Sequence, residues 1–184
     1  MQDGLIRTAR LDLISLQPEE FPRLPSDGLS DQVWARRGLT NPCRHLVDDP
    51  GPLPHRVPKV IADPAGTPYY LRLAVLRDHG VIVGSAGFHD RPDEDGMVEI
   101  GLGIEPPFRR QGFGREVLHG MWGWVVDQPG IYTLRYTVGV SNAASQALVK
   151  TLGFRHVGVQ IDDEDGPEDI YEMPATQYRY QFMS

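Results

Sequence analysis

With 184 residues, a mass of 20.6 kDa, 40% hydrophobic and 23% charged residues, the chain has the size and composition of one globular domain over 1–184. A net charge of −7 and a pI near 5.3 exclude the broad cationic surface that displaces counterions from nucleic acid. The single cysteine, Cys43, excludes an internal disulfide or a thiolate metal cluster, and no apolar run reaches the ~20 residues that span a bilayer.

Met1-Gln2-Asp3-Gly4-Leu5 lacks the cationic start of a secretory leader, so a reducing, cytoplasmic setting is expected, with no membrane contact. In chain order, Leu11, Leu13 and Leu16 alternate with Asp12 and Ser15 as a first strand, and Gln17-Pro18-Glu19-Glu20 reads as a helix start. Seven prolines between Leu39 and Pro68 (42, 50, 52, 54, 58, 64 and 68) imply that regular structure there is short. The Pro-rich stretch, from about 27 to 68, is either a plain connector or a loop shaping the substrate side of a cleft.

Tyr69–Leu76 and Val81–Phe88 flank Arg77-Asp78-His79-Gly80 as a hairpin, and Met97–Ile104 follows as a third strand, which together form an antiparallel meander. Leu118, Met121, Trp122 and Val125 then build one apolar helical face that ends before Pro129-Gly130. Ile131–Val138 reads as a strand. Asn142–Leu152 reads as a helix with Ala147, Leu148 and Leu152 as its buried stripe, stopped by Gly153; Phe154–Ile161 and the stretch around Ile170-Tyr171-Glu172-Met173 are the last strands. This order describes a mixed α/β layer fold.

The chemistry concentrates where the strand ending at Ile104 passes through Glu105-Pro106-Pro107-Phe108 and Arg109-Arg110-Gln111-Gly112-Phe113-Gly114 into a helix. Free backbone N–H groups at a helix N-terminus make an anion site. Gly112 and Gly114 let a bulky pyrophosphate approach the backbone, and Arg109, Arg110 and Arg115 surround it with positive charge. A P-loop is excluded, because the only lysines, Lys59 and Lys150, do not follow such a glycine. A dinucleotide fingerprint is excluded as well: Pro106 or Val117 stands where its third glycine belongs.

The run Arg109-x-x-Gly112-x-Gly114 matches the Gln/Arg-x-x-Gly-x-Gly/Ala signature, and with it the sequence resembles the Gcn5-related N-acetyltransferases (GNAT). Glu99-Ile100-Gly101, Glu116, Asn142-Ala143-Ala144-Ser145 leading to Leu152-Gly153-Phe154, and Arg10-Leu11-Asp12-Leu13 resemble the RimJ/RimL-like branch, which acetylates ribosomal-protein N-termini. The resemblance implies the GNAT fold: a central, mostly antiparallel twisted sheet with helices on both faces and splayed fourth and fifth strands, here Val98–Ile104 and Tyr132–Val138. It implies acetyl-CoA as cofactor and a peptide N-terminus or small-molecule amine as acceptor, with the Pro-rich segment on the acceptor side. Main-chain groups of Leu102 and Ile104 would hold the pantetheine arm, and the N–H groups across Arg110, Gln111, Gly112, Phe113, Gly114 and Arg115 the pyrophosphate. Gly101 and Gly103 suit a strand that another backbone approaches closely. A homodimer is left open.

A lysine-like amine is neutral about once in 2,500 at pH 7, a cost near ~4.6 kcal/mol, whereas an α-amine costs only about 1 kcal/mol, so a base is needed most for side-chain amines. Glu99 is the acid nearest the acetyl position and is either that base or a hydrogen-bonded structural carboxylate; the facing of a strand residue decides which. His89 is the second candidate, as base or substrate ligand, with a solvated loop histidine as its alternative. The chain departs from relatives that place a tyrosine acid at the start of the second helix, since the nearest, Tyr136, lies back in the strand. By resemblance Ser145 stands near the sulfur instead, while Asn142 is a cofactor contact, a helix N-cap or both. Tyr171 faces either the substrate cleft or the core. The histidine spacing implies no metal, and Asp162-Asp163-Glu164-Asp165-Gly166 reads as a solvated acidic turn or an attraction for a cationic substrate.

Overall fold

The computed structural model describes residues 5–26, 28–163 and 166–183. Met1–Gly4, Asp27, and Glu164 and Asp165 of the expected acidic turn lie outside them. Two compact units share the chain: one runs up to Gly87 and includes Leu102–Met121, the other comprises Phe88–Gly101 and the chain from Trp122 onward.

In the first unit β1 (Leu5–Arg7) and β2 (Leu11–Ser15) lead through a 3-10 turn at Pro18–Arg23 into α1 (Leu29–Arg36), α2 (Leu53–Ala62) and α3 (Thr67–Tyr70). The sheet resumes with β3 (Arg72–Leu76), β4 (Val81–Phe88) and the end of β5 (Met97–Ile104), and α4 (Phe113–Val126) begins here. β2 pairs antiparallel with β1 and β3, and β3 with β4. Phe21, Leu24, Val33, Leu53 and Val60 cover Leu73 and Val75 as one core.

The Pro-rich stretch differs from its expectation, because α2 runs for ten residues. Pro54 sits in its first turn, where the missing N–H has no intrahelical partner to lose. Pro58 costs one bond to the Pro54 carbonyl, and the burial of Leu53 and Val60 offsets it. Tyr69 and Tyr70, expected in a strand, form α3 instead. Three-residue β1 is too short for a period to register.

The second unit holds the start of β5, the end of α4, β6 (Thr133–Gly139), α5 (Ala143–Thr151), β7 (Arg155–Asp162), β8 (Gly166–Pro174) and α6 (Ala175–Phe182). Its core packs Trp122 against Phe88 and Phe154 in tilted ring pairs, with centroids 5.5 and 5.8 Å away. Gln146 and Val149, rather than Ala147, are the buried face of α5. α6 buries only Ala175 and Tyr178, which left its sequence without a readable stripe. β6 pairs antiparallel with β8 and β8 with β7, and the strand order is β1-β2-β3-β4-β5-β6-β8-β7. The sheet is mixed and mostly antiparallel: β5 and β6 are parallel, over Met97–Ile100 and Thr133–Tyr136. Among the described residues no helix is long and apolar enough to cross a membrane.

Candidate active site

In the first unit, β5 ends at Ile104 and a single 3-10 turn, Pro106–Phe108, reverses the chain. Arg109 Nε donates to the Ile104 carbonyl at 2.7 Å and Gln111 Nε2 to the Pro107 carbonyl at 3.1 Å, so both side chains brace the turn. Arg110 (φ 60°) and Gly112 (φ 84°) adopt left-handed backbone, a conformation that costs a non-glycine residue about 1 kcal/mol and turns successive N–H groups to one side. Glu116 N–H closes on the Gly112 carbonyl at 3.1 Å. Among the described residues the N–H groups from Arg110 to Arg115 meet no acceptor, and the side chains of Arg109, Arg110 and Arg115 are exposed around them. This is a preformed anion cradle on α4.

Its far support was not legible in the motif. Glu116 Oε1 accepts from Thr8 Oγ1 and from Arg10 N–H, both at 2.6 Å, and Arg10 Nε meets Oε2 at 2.8 Å. The same guanidinium donates to the Gln111 carbonyl at 3.1 Å and lies 4.2 Å from the Phe113 ring centre. Burial alone would raise the Glu116 carboxyl, but the bonds from Thr8 and Arg10 outweigh it and hold it below the ordinary glutamate value. Phe113 is thus buried as a loop anchor, 5% exposed.

In the second unit, Glu99 and His89 face each other across neighbouring strands. His89 N–H donates to the Glu99 carbonyl at 2.7 Å, His89 Nδ1 lies 3.7 Å from Glu99 Oε1, and a Cβ on Gly101 would stand 3.3 Å from His89 Nε2. The imidazole therefore lies close over β5 at Gly101, where a Cβ would crowd it. Thr137 Oγ1 donates to Glu99 Oε1 at 2.5 Å. The two sequence candidates are one pair: a half-exposed imidazole and a largely buried carboxylate, with side-chain exposures of 50% and 16%.

At the start of α5, Asn142 Oδ1 accepts from Ser145 N–H at 3.1 Å, so Asn142 is the N-cap. Tyr136 OH reaches Ser145 Oγ at 3.5 Å, and burial raises its pKa, so the phenol stays protonated. A tyrosine back in the strand thus supplies a hydroxyl at the helix start after all; one side chain's reach across β6 to α5 has no sequence signature. Tyr171 is 2% exposed and donates to Gln146 Oε1, while Gln146 Nε2 donates to Asp169 Oδ2 and Asp169 Oδ1 meets His156 Nε2, both at 2.9 Å. Of the two settings left open for Tyr171, the structure shows the core.

The family model described as Acetyltransferase (GNAT) domain matches residues 10–155. The chain belongs to the GNAT acetyltransferase family. A curated relative from Bacillus subtilis (strain 168), the uncharacterized N-acetyltransferase YjdG, is 32% identical over 82 residues, 45% of this chain and 49% of its own length. This chain thus spans about half the length of that relative. Among solved structures, a GNAT-family acetyltransferase from Bacillus anthracis matches with a TM-score of 0.63 at 15% identity, covering 94% of this chain and 99% of that one. RimL, a ribosomal L7/L12 alpha-N-protein acetyltransferase in complex with coenzyme A, matches with a TM-score of 0.63 at 16% identity, covering 93% and 98%. At these identities the structures establish the shared fold, to which β5, the anion cradle and α4 of this GNAT chain belong.

Proposed function

We propose that this chain transfers the acetyl group of acetyl-CoA to a primary amine, a peptide N-terminus or a small-molecule amine, as one acetyltransferase domain across 1–184. The observation that carries the reading is the row of N–H groups from Arg110 to Arg115, held open by Arg10 and Glu116. Pyrophosphate oxygens fit such a cradle, with Arg109, Arg110 and Arg115 as counter-charge. The pantetheine arm would run along β5 at Leu102 and Ile104, whose own carbonyl is already taken by Arg109. The coenzyme A complex of RimL, of the same fold, supports this assignment, and its protein acceptor supports a peptide N-terminus as one amine class.

Bound acetyl-CoA supplies a thioester carbon open to attack by an amine. His89 is the base that takes the proton of the amine, and Glu99 favours the imidazolium that results. Thr137 donates its hydroxyl proton to Glu99 Oε1, the same oxygen that lies 3.7 Å from His89 Nδ1, and so fixes the carboxylate beside the ring. Tyr136 donates to Ser145 and frees the Ser145 hydroxyl proton for the departing sulfur. A thiol with a pKa of about 8.5 needs no stronger acid at neutral pH.

Coenzyme A binding by calorimetry, followed by thiol release from acetyl-CoA over a panel of peptides and small amines, tests the reading. Thiol release with at least one amine is the expected result. Tight coenzyme binding with no release from any amine would leave a coenzyme-binding module and remove the transferase.

A further inference from the structure

A second polar constellation, entirely within the first unit, has no part in the steps above. His45 Nδ1 lies 2.6 Å from Glu105 Oε1, and His45 Nε2 lies 2.8 Å from Ser85 Oγ. A carboxylate only accepts, so Nδ1 carries the hydrogen and Nε2 faces the serine hydroxyl. Burial, which lowers the imidazole pKa against the pull of Glu105 and Asp49, favours the neutral ring. His45 is 9% exposed and Ser85 4%, so the hydroxyl is enclosed despite an order of bonds shared with hydrolytic serines.

The backbone is bent to present this ring. Arg44 (φ 52°) and Leu46 (φ 62°) on either side of His45 both occupy the left-handed region, a strained conformation for residues that carry a side chain. Asn41 holds the bend from both sides: its Oδ1 accepts from His45 N–H at 2.8 Å and its Nδ2 donates to the His45 carbonyl at 3.0 Å. Thr40 N–H donates to the Gly80 carbonyl and the Thr40 carbonyl accepts from Ile82 N–H, both at 2.9 Å, so the segment starts as an extension of the sheet. Glu105, the partner at the other end, directly follows Ile104, and its N–H is fixed to the Val83 carbonyl at 2.9 Å. Backbone strain, a double side-chain clamp and a buried relay all converge on joining residues 40–47 to the strand end that leads into the anion cradle.

We propose that His45 is a positioning residue that couples segment 40–47 to the coenzyme-carrying end of β5, so that coenzyme A binding tightens this segment. The inference rests on the coenzyme assignment made above. Because the relay runs through Glu105 and Ser85, cutting either bond weakens the link between the segment and the end of β5 without touching the cradle.

Hydrogen–deuterium exchange on the full chain, with and without coenzyme A, tests it. In the wild type coenzyme A slows exchange at 110–115 and, about tenfold, at the Thr40, His45 and Val47 amides. In Ser85→Ala and Glu105→Ala the protection at 110–115 persists while the increment over 40–47 falls below about twofold. Glu105→Gln, which still accepts from Nδ1, retains it; a merely structural bond would shift the baseline and leave the coenzyme-dependent increment alone. If Glu105→Ala does not fold, Ser85→Ala carries the comparison. Equal increments in wild type and Ser85→Ala, or protection at 110–115 with none over 40–47 in the wild type, overturn the coupling. Protection at neither place overturns the coenzyme assignment, and the coupling with it. An acetyl group found on Ser85 after incubation with acetyl-CoA would make Ser85 a nucleophile and overturn the positioning role.

Discussion

The anion cradle of the first unit and the His89–Glu99 and Tyr136–Ser145 pairs of the second are built in opposite ways. The cradle is a run of consecutive residues whose backbone does the binding, so its chemistry survives most changes of side chain outside the glycines. The pairs bring together residues from different segments of the chain, and each depends on one side chain reaching another. A backbone site is robust and generic; a side-chain site is specific and fragile. Substitutions in the two should therefore separate coenzyme affinity from turnover.

The largest effect is expected at His89. Removing a general base costs about 10²–10⁴-fold, so His89→Gln should lower kcat by at least ~100-fold at neutral pH while the coenzyme Kd stays within about twofold. Turnover should recover partly as pH rises and the free amine becomes abundant. An unchanged kcat across the pH range would remove His89 from the chemistry.

Gly112→Trp is the mirror case. The left-handed backbone at Gly112 disfavours any side chain, and a bulky one would fill the cradle. Loss of two charge-assisted hydrogen bonds at ~1.5 kcal/mol each predicts about 100-fold weaker coenzyme A binding, with kcat at saturating coenzyme unchanged. Calorimetry paired with saturation kinetics reads both numbers. If kcat falls and Kd does not, the division between the two regions is wrong.

This contrast also explains what the sequence discloses. The glycines and arginines of 109–115, the strand at 97–104 and the helix face from Leu118 to Val125 are local patterns, and all three stand in the structure where the residues imply them. The pairing of His89 with Glu99 became visible only through strand register, and Thr137 and Tyr136 entered only through packing. α2 was masked by its own prolines, whose cost is met by tertiary burial that no local rule counts.

A smaller effect sharpens the second region. Tyr136→Phe removes the hydroxyl that donates to Ser145 and leaves the ring packed, 5% exposed in the wild type. Ser145 then has no donor from Tyr136 to orient it, and kcat should fall about tenfold, the scale of one neutral hydrogen bond at ~1–1.5 kcal/mol, with the coenzyme Kd unmoved. Ser145→Ala should cost no less. A Tyr136→Phe enzyme as fast as wild type would reduce Tyr136 to packing.

The smallest effect bears on the cradle, and it qualifies the view of that region as local. Glu116 joins the cradle to Thr8 and Arg10, more than a hundred positions earlier in the chain. Its carboxyl sits below its unfolded value, so its contribution to stability is fully present above about pH 4.3 and is lost as pH falls through the folded value. Arg10 is about half exposed, 48%, so solvent screens the pair and the neutral-pH contribution should stay within about 1 kcal/mol. Thermal melts of wild type and Glu116→Gln should thus differ at neutral pH and converge on acidification. Coenzyme A should bind Glu116→Gln more weakly by a few-fold, because Arg10 is released from the Gln111 carbonyl and the cradle must be ordered by the ligand. Parallel melting curves would mean that the glycine run holds its shape unaided, and that the first strands of the chain have no part in binding the coenzyme.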